Sequence, residues 1–334
     1  MANLYIGVSS KARLVKNIYI GVNGKARKVQ KAYIGVGGKA RLFYSASTPF
    51  AFTYTGSYAT EGNLEGNFVI RFKTSGTLKI TNIGNTGGKL DVFCVGGGSA
   101  GNGPTTTNSS ANNSSGGGGG GYTKTNKSVS ISATSYSIIV GAGGTYIKPT
   151  KKDGYQYIDP AVAGNKSSGL GVSANGGTNT NKKWNYVDAP CHCGFDGGSG
   201  GAAGSTYKNH KAGSNGGNGY ENSGGSFKGG TGQSTTTREF GESSGKLYAG
   251  GGGCGMYYSS SSAEYDIGAT PGDGGGGCGV GYGWTGSDGR TTYDAQPGTA
   301  NTGGGGGGHG YFRSGTGSPG AAGGSGIVCI RNAR

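Results

Sequence analysis

The sequence predicts an all-β chain with little or no α-helix, in which β-hairpin repeats precede a β-sandwich-like frame and a bundle of polyglycine II helices. Three observations predict it: a repeat with hairpin turns near the start, alternating apolar residues up to Val95, and glycine runs beyond it. Of the 80 glycines, 67 follow Val95. We predict three domains. The hairpins occupy 1–45, the frame occupies 46–145 with its closing strand at 327–331, and the glycine bundle with long loops occupies 146–326.

The first segment repeats one short pattern three times, with Tyr-Ile-Gly-Val, two turn residues and Lys-Ala-Arg. The turn residues of the second and third repeats are Asn23-Gly24 and Gly37-Gly38, which favour a type I′ turn because they tolerate positive φ at both positions. Three hairpins form a thin structure, so we expect them to pack on another copy or a larger assembly. The repeated residues that we expect to dock there are Tyr5, Tyr19, Tyr33, Arg13, Arg27 and Arg41.

The frame shows the period-two alternation of half-buried strands. Phe50 to Tyr54 is one candidate strand, and Phe68 to Lys73 is a second, with Phe68, Ile70 and Phe72 on its buried face. Beyond a turn at 74–76, Leu78 and Ile80 continue that face. We further predict strands at 122–131 and 136–140 as a pair.

The two apolar stretches that bracket most of the glycines are 90–95 and 327–331. We predict that they lie in one sheet and close the glycine segment at its base. If so, Cys94 and Cys329 lie near each other.

The glycine runs need a physical reason, because glycine inside a strand or helix costs about 0.5–1 kcal/mol relative to alanine. Collagen requires glycine at every third position and abundant proline, whereas these runs are irregular and the chain has only 8 prolines. A flexible linker is a second interpretation. We favour a third, a packed bundle of polyglycine helices in the polyproline II conformation, whose sideways N–H and C=O groups bond to neighbouring helices.

The net charge of +15 is unevenly distributed. Residues 1–60 contain nine Lys and Arg and no Asp or Glu. A basic segment can contact nucleic acid, lipid or an acidic partner, or can form a solvated strand face. No nucleic-acid-binding motif accompanies the charge, so we expect no nucleic-acid partner. The start lacks a signal-peptide pattern and no apolar run approaches about 20 residues, so we expect cytoplasmic synthesis and no membrane insertion.

Several further motifs occur together. They are the hairpin repeats, the stretch 52–56, the stretch from Arg71 to Leu78, and Asp91-Val-Phe-Cys-Val-Gly-Gly-Gly, followed by 229–233, 236–242 and the ending from Gly324. Together they resemble glycine-rich tail proteins of phages and prophages of gut Firmicutes, over nearly the whole chain. The glycine segment is also similar in composition to tail-fibre adhesins with a polyglycine II tip. The chain departs from the pattern in the loop 181–195 and at four cysteines: Cys94, Cys254, Cys278 and Cys329.

The resemblance implies an adhesin of the virion tail, in which loops on a stiff glycine bundle bind a host glycan or protein. It implies other tail proteins as partners and admits a homo-oligomer such as a trimer. The alternatives are a purely structural tail or fibril subunit and a polysaccharide depolymerase. Aromatic residues in polar loops are the predicted receptor contacts, unless they are buried at the loop feet: Trp184, Tyr186, Tyr257, Tyr258, Tyr282, Trp284 and Tyr293, with Tyr311 and Phe312 beside them.

Residues that could support chemistry are sparse, so we expect no enzyme, no cofactor and no metal. Cys191-His192-Cys193 lacks the C-x₂₋₄-C spacing of structural zinc sites, and a disulfide or free thiols is the favoured reading of its cysteines. A glycosidase needs two carboxylates across a cleft. The closest acidic pairs, Glu239 with Glu242 and Glu264 with Asp266, are expected to face solvent or cap turns.

Overall fold

The structure is a computed structural model, and it contains strands and two three-residue 3-10 turns but no α-helix among the residues it describes. Those residues are 4–8, 11–15, 17–46, 48–103, 115–146, 150–152, 155–157, 161–179, 194–204, 215–219, 231–255, 257–258, 270–279, 281–284, 290–312 and 320–333. The prediction of an all-β chain with little or no α-helix is confirmed.

The strands are numbered in chain order. The first thirteen are β1 Tyr5–Val8, β2 Lys11–Leu14, β3 Tyr19–Val22, β4 Lys25–Lys28, β5 Lys31–Val36, β6 Lys39–Ser45, β7 Ala51–Tyr54, β8 Tyr58–Gly62, β9 Phe68–Phe72, β10 Gly76–Asn82, β11 Lys89–Val95, β12 Thr123–Ser130 and β13 Ser135–Ile138. The remaining nine are β14 Thr150–Lys152, β15 Tyr155–Tyr157, β16 Ser167–Gly169, β17 Val172–Ala174, β18 Tyr257–Tyr258, β19 Gly281–Trp284, β20 Arg290–Tyr293, β21 Tyr311–Phe312 and β22 Ile327–Asn332. The 3-10 turns are Gly84–Thr86 and Glu239–Gly241.

The N-terminal repeats fold into three antiparallel hairpins, as predicted: β1 with β2, β3 with β4, and β5 with β6. In the second turn Asn23 has φ 52° and Gly24 has φ 74°, and in the third Gly37 and Gly38 have φ 58° and 75°. Positive φ at both central positions is the type I′ requirement from which the hairpins were predicted.

The frame consists of two antiparallel sheets that pack face to face. One has five strands in the order β12-β11-β22-β9-β8, and the other has three in the order β13-β10-β7. The predicted buried face is confirmed, because Phe68, Ile70 and Phe72 of β9 pack with Leu78 and Ile80 of β10 in one core. This core lies between the two sheets and fixes the base on which the glycine runs stand.

Strand β22 lies in the middle of the five-stranded sheet, between β11 and β9, as the predicted pairing of 90–95 with 327–331 requires. Phe93 is directly opposite Cys329, so Cys94 and Cys329 are neighbours in adjacent strands. Successive side chains of a strand point to opposite faces. Cys94 therefore enters the core between the sheets, whereas Cys329 packs with Phe93 and Tyr248 on the other face.

The prediction that 122–131 and 136–140 form a pair is wrong. Strand β12 pairs with β11 in the larger sheet, and β13 pairs with β10 in the smaller one. Between them the chain crosses from one sheet to the other, and Ile131 enters the shared core. Each strand finds its ladder partner at an edge of a different sheet, which local alternation does not reveal.

The glycine run 96–102 shows a three-residue period in its hydrogen bonds. Its amide groups donate in turn to three different antiparallel neighbours, and every third amide returns to the same one: Gly96, Ser99 and Asn102 to 116–122, Gly97 and Ala100 to 162–165, and Gly98 and Gly101 to 321–324. Three residues per turn with no internal hydrogen bonds is the geometry of a polyglycine II helix. The run is buried along its whole length.

Neighbouring runs repeat this arrangement and make a lattice. In run 303–309, Gly305 and Gly308 donate to Gly250 and Gly253, three residues apart on the adjacent run. A Cβ atom on most of these glycines would overlap a backbone carbonyl of the next run; at Gly118 it would strike the Ser99 oxygen. The absence of side chains is therefore what lets the main chains approach closely enough to bond laterally.

Candidate binding surface

The base of the glycine bundle is continuous with the five-stranded sheet. Run 96–102 leaves β11, run 115–122 enters β12, and run 320–326 enters β22. The junction is closed by hydrogen bonds from the Gly96 amide to the Tyr122 carbonyl at 3.0 Å and from Gly326 to Gly141 at 2.8 Å. Because covalent and lateral bonds both cross the junction, the bundle projects from the frame as a stiff extension.

The opposite, outer end of the bundle is a layer in which four chain segments bond to one another. The His309 amide donates to Asn102, Ser115 donates to the His309 carbonyl, and Gly255 donates to Ser115, at 3.1, 2.9 and 2.9 Å. Asn102 is six residues from Gly96, which corresponds to about 19 Å at about 3.1 Å per residue. We call Asn102, Ser115, Gly255 and His309 the outer layer.

Several segments with polar and aromatic sequence depart from this end. The segment 104–114 runs between Gly103 and Ser115. Strand β18 follows Gly255 after one residue and β21 follows His309 after one residue, and the two strands pair in parallel above the outer layer. The flanks of the β14–β15 hairpin reach the same end, because the Tyr146 ring lies against Gly103.

The β19–β20 hairpin also belongs to the outer half of the bundle. Its flanking residues are joined to the run 303–309, since Gln296 donates to the Cys278 carbonyl at 2.8 Å and Gly307 donates to Gln296 at 3.1 Å. In the hairpin itself Tyr282 is opposite Thr292 and Trp284 is opposite Arg290.

Five of the seven predicted receptor residues therefore have their backbone in strands at the outer end: Tyr257 and Tyr258 in β18, Tyr282 and Trp284 in β19, and Tyr293 in β20. Tyr311 and Phe312 form β21 beside them. Trp184 and Tyr186 lie outside the described residues, as do Cys191, His192, Cys193, Glu264 and Asp266. Aromatic residues from three separate stretches of sequence thus share one end of the molecule.

The predicted docking residues lie in the three N-terminal hairpins and are exposed to solvent. Tyr5, Tyr19 and Tyr33 are 54%, 58% and 55% exposed. Arg13, Arg27 and Arg41 are also exposed, and each is opposite an isoleucine in its hairpin. A 3.2 Å hydrogen bond from the Ile18 amide to the Tyr44 hydroxyl joins the second hairpin to the third.

The sequence did not predict an ionic network on the face of the five-stranded sheet that points away from the core between the two sheets. Glu239 is buried and accepts two hydrogen bonds from Arg71, and Glu242 pairs with Arg331 at 2.7 Å. The expectation that this pair faces solvent or caps turns is therefore wrong for Glu239, whereas Glu242 is partly exposed and caps the 3-10 turn. Arg331 also bonds to the buried carboxylate of Asp91 at 3.0 Å. The signal available in the sequence was the clustering of acids in 236–242 beside an aromatic residue.

Phe240 sits at the centre of this network. Its φ is 54°, a left-handed conformation that is uncommon for a bulky residue. Its ring packs on Phe93, and the Arg331 guanidinium lies over it at 4.3 Å from the ring centroid. The network thus anchors the segment 236–249 to the sheet and holds the start of the next glycine run.

The four cysteines that the structure describes are free thiols, and three of them are buried. Burial raises the pKa of the Cys94 and Cys254 thiols to about 12, and it raises that of Cys329 well above its ordinary value. These thiols are therefore neutral packing groups near pH 7. Within the described ranges no group of three or more His, Cys, Asp or Glu is placed to hold a metal ion, and no helix is long and apolar enough to span a bilayer.

Comparison with known proteins adds one relationship. A family model described as a glycine-rich domain matches residues 73–333, which is most of the chain and includes the frame from Lys73 onward together with the whole glycine bundle. No curated protein and no solved structure matches the chain.

Proposed function

The chain belongs to the glycine-rich domain family, and from that premise we propose that it is a phage tail-fibre or tail-tip adhesin that binds a host cell-surface glycan or protein. The observation that carries the proposal is the outer layer, where Asn102, Ser115, Gly255 and His309 bring several loop segments to one end of a stiff bundle. Loops that a rigid scaffold positions are where binding residues concentrate.

The composition of the outer segments supports binding rather than turnover. The chain has 21 tyrosines, and the segments beyond the outer layer combine tyrosine and tryptophan with serine, glycine and asparagine. Such mixtures give rigid aromatic contact area and adaptable hydrogen bonding at low entropic cost. Several copies on one virion tail would convert weak single contacts into strong attachment.

The three N-terminal hairpins would attach the adhesin to other tail proteins. Their exposed tyrosines and arginines have no core of their own to enter. This division puts assembly at one end of the chain and host recognition at the other.

The test is binding of the fluorescently labelled full chain to a panel of gut Firmicutes cells, before and after protease treatment and with isolated wall glycans as competitors. We expect a variant with Tyr282, Trp284 and Tyr293 changed to alanine to lose at least tenfold in affinity, since even one hot-spot aromatic among them contributes about 2 kcal/mol or more. The matched control, with Tyr5, Tyr19 and Tyr33 changed to alanine, should bind cells normally.

Three results would contradict the proposal. Absence of binding to every cell type would remove the adhesin role. Release of sugar fragments from isolated glycans would favour a depolymerase. Protection of Tyr282 and Trp284 from surface labelling in the intact particle would favour a structural subunit.

A further inference from the structure

The three N-terminal hairpins each present two different faces. Side chains alternate along a strand, and residues opposite each other share a face. In the third hairpin one face carries Ile34 and Val36 with Arg41 and Lys39 opposite them, and the other carries Tyr33 and Gly35 with Leu42 and Ala40 opposite them. One face is therefore cationic and apolar, and the other is apolar with an aromatic ring.

These apolar side chains are equally exposed in all three hairpins. Ile6, Ile20 and Ile34 are 52%, 54% and 53% exposed, which repeats the pattern of the three tyrosines. An isolated two-stranded hairpin is marginally stable in water, and exposed isoleucine on one face with exposed tyrosine on the other, repeated three times, indicates an interaction site. The described part of this chain does not bury them.

Charge narrows the choice of what covers them. Residues 1–60 hold nine basic residues and no acidic one, so two copies of the array would repel each other. An occupant that approaches Lys39 and Arg41 must bring negative charge. The choice lies between a polyanion, such as a phosphate polymer, and an acidic polypeptide.

The strand edges favour the polypeptide. Each hairpin is a two-stranded sheet, and none of the described strands pairs with its outer edges. Unpaired edge N–H and C=O groups form a template for an added extended segment. A phosphate polymer offers no such ladder and no apolar side chains for Ala40 or Leu42, whereas a polypeptide strand offers both.

The sequence of the edge strands specifies the pattern that such a segment needs. Strand β6 begins Lys39-Ala40-Arg41-Leu42, so basic and apolar residues alternate, and β2 begins in the same way, whereas β4 shares Lys-Ala-Arg but has Lys28 in place of the leucine. Lys39 and Arg41 are two positions apart, about 6.7 Å along one face. A strand added beside β6 places its own alternate residues directly opposite them.

We propose that each hairpin binds, by strand addition, an extended segment of a partner protein in which acidic and apolar residues alternate. Acidic side chains meet the Lys and Arg of the edge strand, and apolar side chains meet Ala40 and Leu42, or the equivalent Ala12 of β2 and Ala26 of β4. Three equivalent hairpins engage three equivalent segments, as in a symmetric or repetitive partner, and gain avidity. This inference rests on the attachment role proposed for the hairpins and is independent of what the outer end binds.

The test uses a labelled eight-residue peptide that alternates Glu with Val, below its self-association concentration, and fluorescence anisotropy with the full chain. We expect saturable binding that weakens by at least tenfold between 50 and 300 mM salt, both chosen concentrations spanning strong and weak screening. The same peptide with Lys in place of Glu should not bind. A Glu-Val peptide that is N-methylated at alternate residues should lose at least tenfold in affinity, because it cannot complete the ladder.

The protein variants separate this surface from general basicity. Changing Arg13, Arg27 and Arg41 together to glutamate should abolish peptide binding. The control changes three exposed lysines of the frame to glutamate, Lys79, Lys124 and Lys127, and should leave peptide binding intact. Equal unfolding temperatures for the two variants would show that both fold. Binding of inorganic polyphosphate with the affinity of the peptide, indifference to N-methylation, or no peptide binding would each overturn the proposal. Cell binding by the arginine variant tests the adhesin role separately.

Discussion

Arg71 and Glu239 form a two-point ion pair across 168 residues of chain, with Nε and one terminal nitrogen of Arg71 each donating to a different carboxylate oxygen at 2.7 Å. Arg71 belongs to β9 and Glu239 to the segment that leads back into the glycine bundle. A second contact, from the Tyr248 hydroxyl to Glu239 at 3.3 Å, completes the junction. Hydrogen bonding to Glu239 raises the pKa of Arg71, so the cation persists at any pH at which the protein folds.

Glu239→Ala is expected to lower the free energy of unfolding by about 2–4 kcal/mol, because it leaves the guanidinium of Arg71 without its buried counter-charge. Urea unfolding followed by tyrosine fluorescence measures the loss. Glu65→Ala, at an exposed position of the frame, is the matched control and should change stability by less than about 0.5 kcal/mol. If the two variants are equally stable, the ion pair does not hold the junction.

Gly118→Ala is expected to destabilise the bundle by about 3 kcal/mol or more, since the new methyl group would overlap the Ser99 carbonyl and force two runs apart. Gly21→Ala is the control, because nothing lies within 4 Å of a Cβ at that position in β3. Thermal unfolding by calorimetry compares the two. A Gly118→Ala protein with the wild-type unfolding temperature would show that the runs do not pack through absent side chains.

Ser99 is buried within run 96–102, and its hydroxyl oxygen accepts the Gly119 amide at 2.8 Å. Ser99→Ala should therefore cost about 1–3 kcal/mol, because the buried amide is left without an acceptor. Hydrogen exchange followed by mass spectrometry should show faster exchange in 115–122. Ser130→Ala, on the exposed side of β12, should leave exchange in that segment unchanged.

Alkaline pH should destabilise the protein through its buried thiols. Burial raises the pKa of Cys94 and Cys254 from an ordinary value of 9.0 to about 12, so above about pH 9 the unfolded chain loses these protons while the folded chain retains them. Stability then falls by about 1.4 kcal/mol per pH unit for each thiol up to about pH 12, whereas below pH 9 these groups contribute no pH dependence.

Urea unfolding between pH 8 and pH 11 tests this sign. The Cys94→Ala/Cys254→Ala variant should lose stability with a shallower slope than the wild type, even if it is less stable at pH 8. Parallel slopes would mean that the thiols are accessible to water in the folded state, and a thiol reagent should then label them at pH 8.

The parts of the fold that could be predicted are those with a local signature. Asn23-Gly24 and Gly37-Gly38 specify turns by their own φ preferences, and the alternation at Phe68, Ile70 and Phe72 specifies a buried face. The density of glycine indicates close backbone packing in the same way. Each of these inferences needs only neighbours within a few residues.

The parts that could not be predicted depend on partners that the sequence does not mark. A run of bare glycines has no side-chain pattern, so nothing distinguishes the neighbour that receives the Gly97 amide from the one that receives Gly98. The same holds for the Arg71–Glu239 pair and for the separation of β12 from β13. At the candidate site, sequence identifies the aromatics Tyr257, Tyr282 and Tyr311, but only the lattice brings their strands to one end.

Strand β22 lies in the middle of a sheet whose other four strands are complete by Ser130, and its Arg331 bonds to Asp91 across 240 residues. A ribosome adds about 5–20 residues per second, so β11 waits about 10–50 s for its central partner. During that interval the edge of β11 that later pairs with β22 is unpaired, and chaperones can bind its apolar side chains before the sheet is complete. The five-stranded sheet is therefore completed only after its central strand has been synthesised, so the rate of translation limits how soon the chain can finish folding.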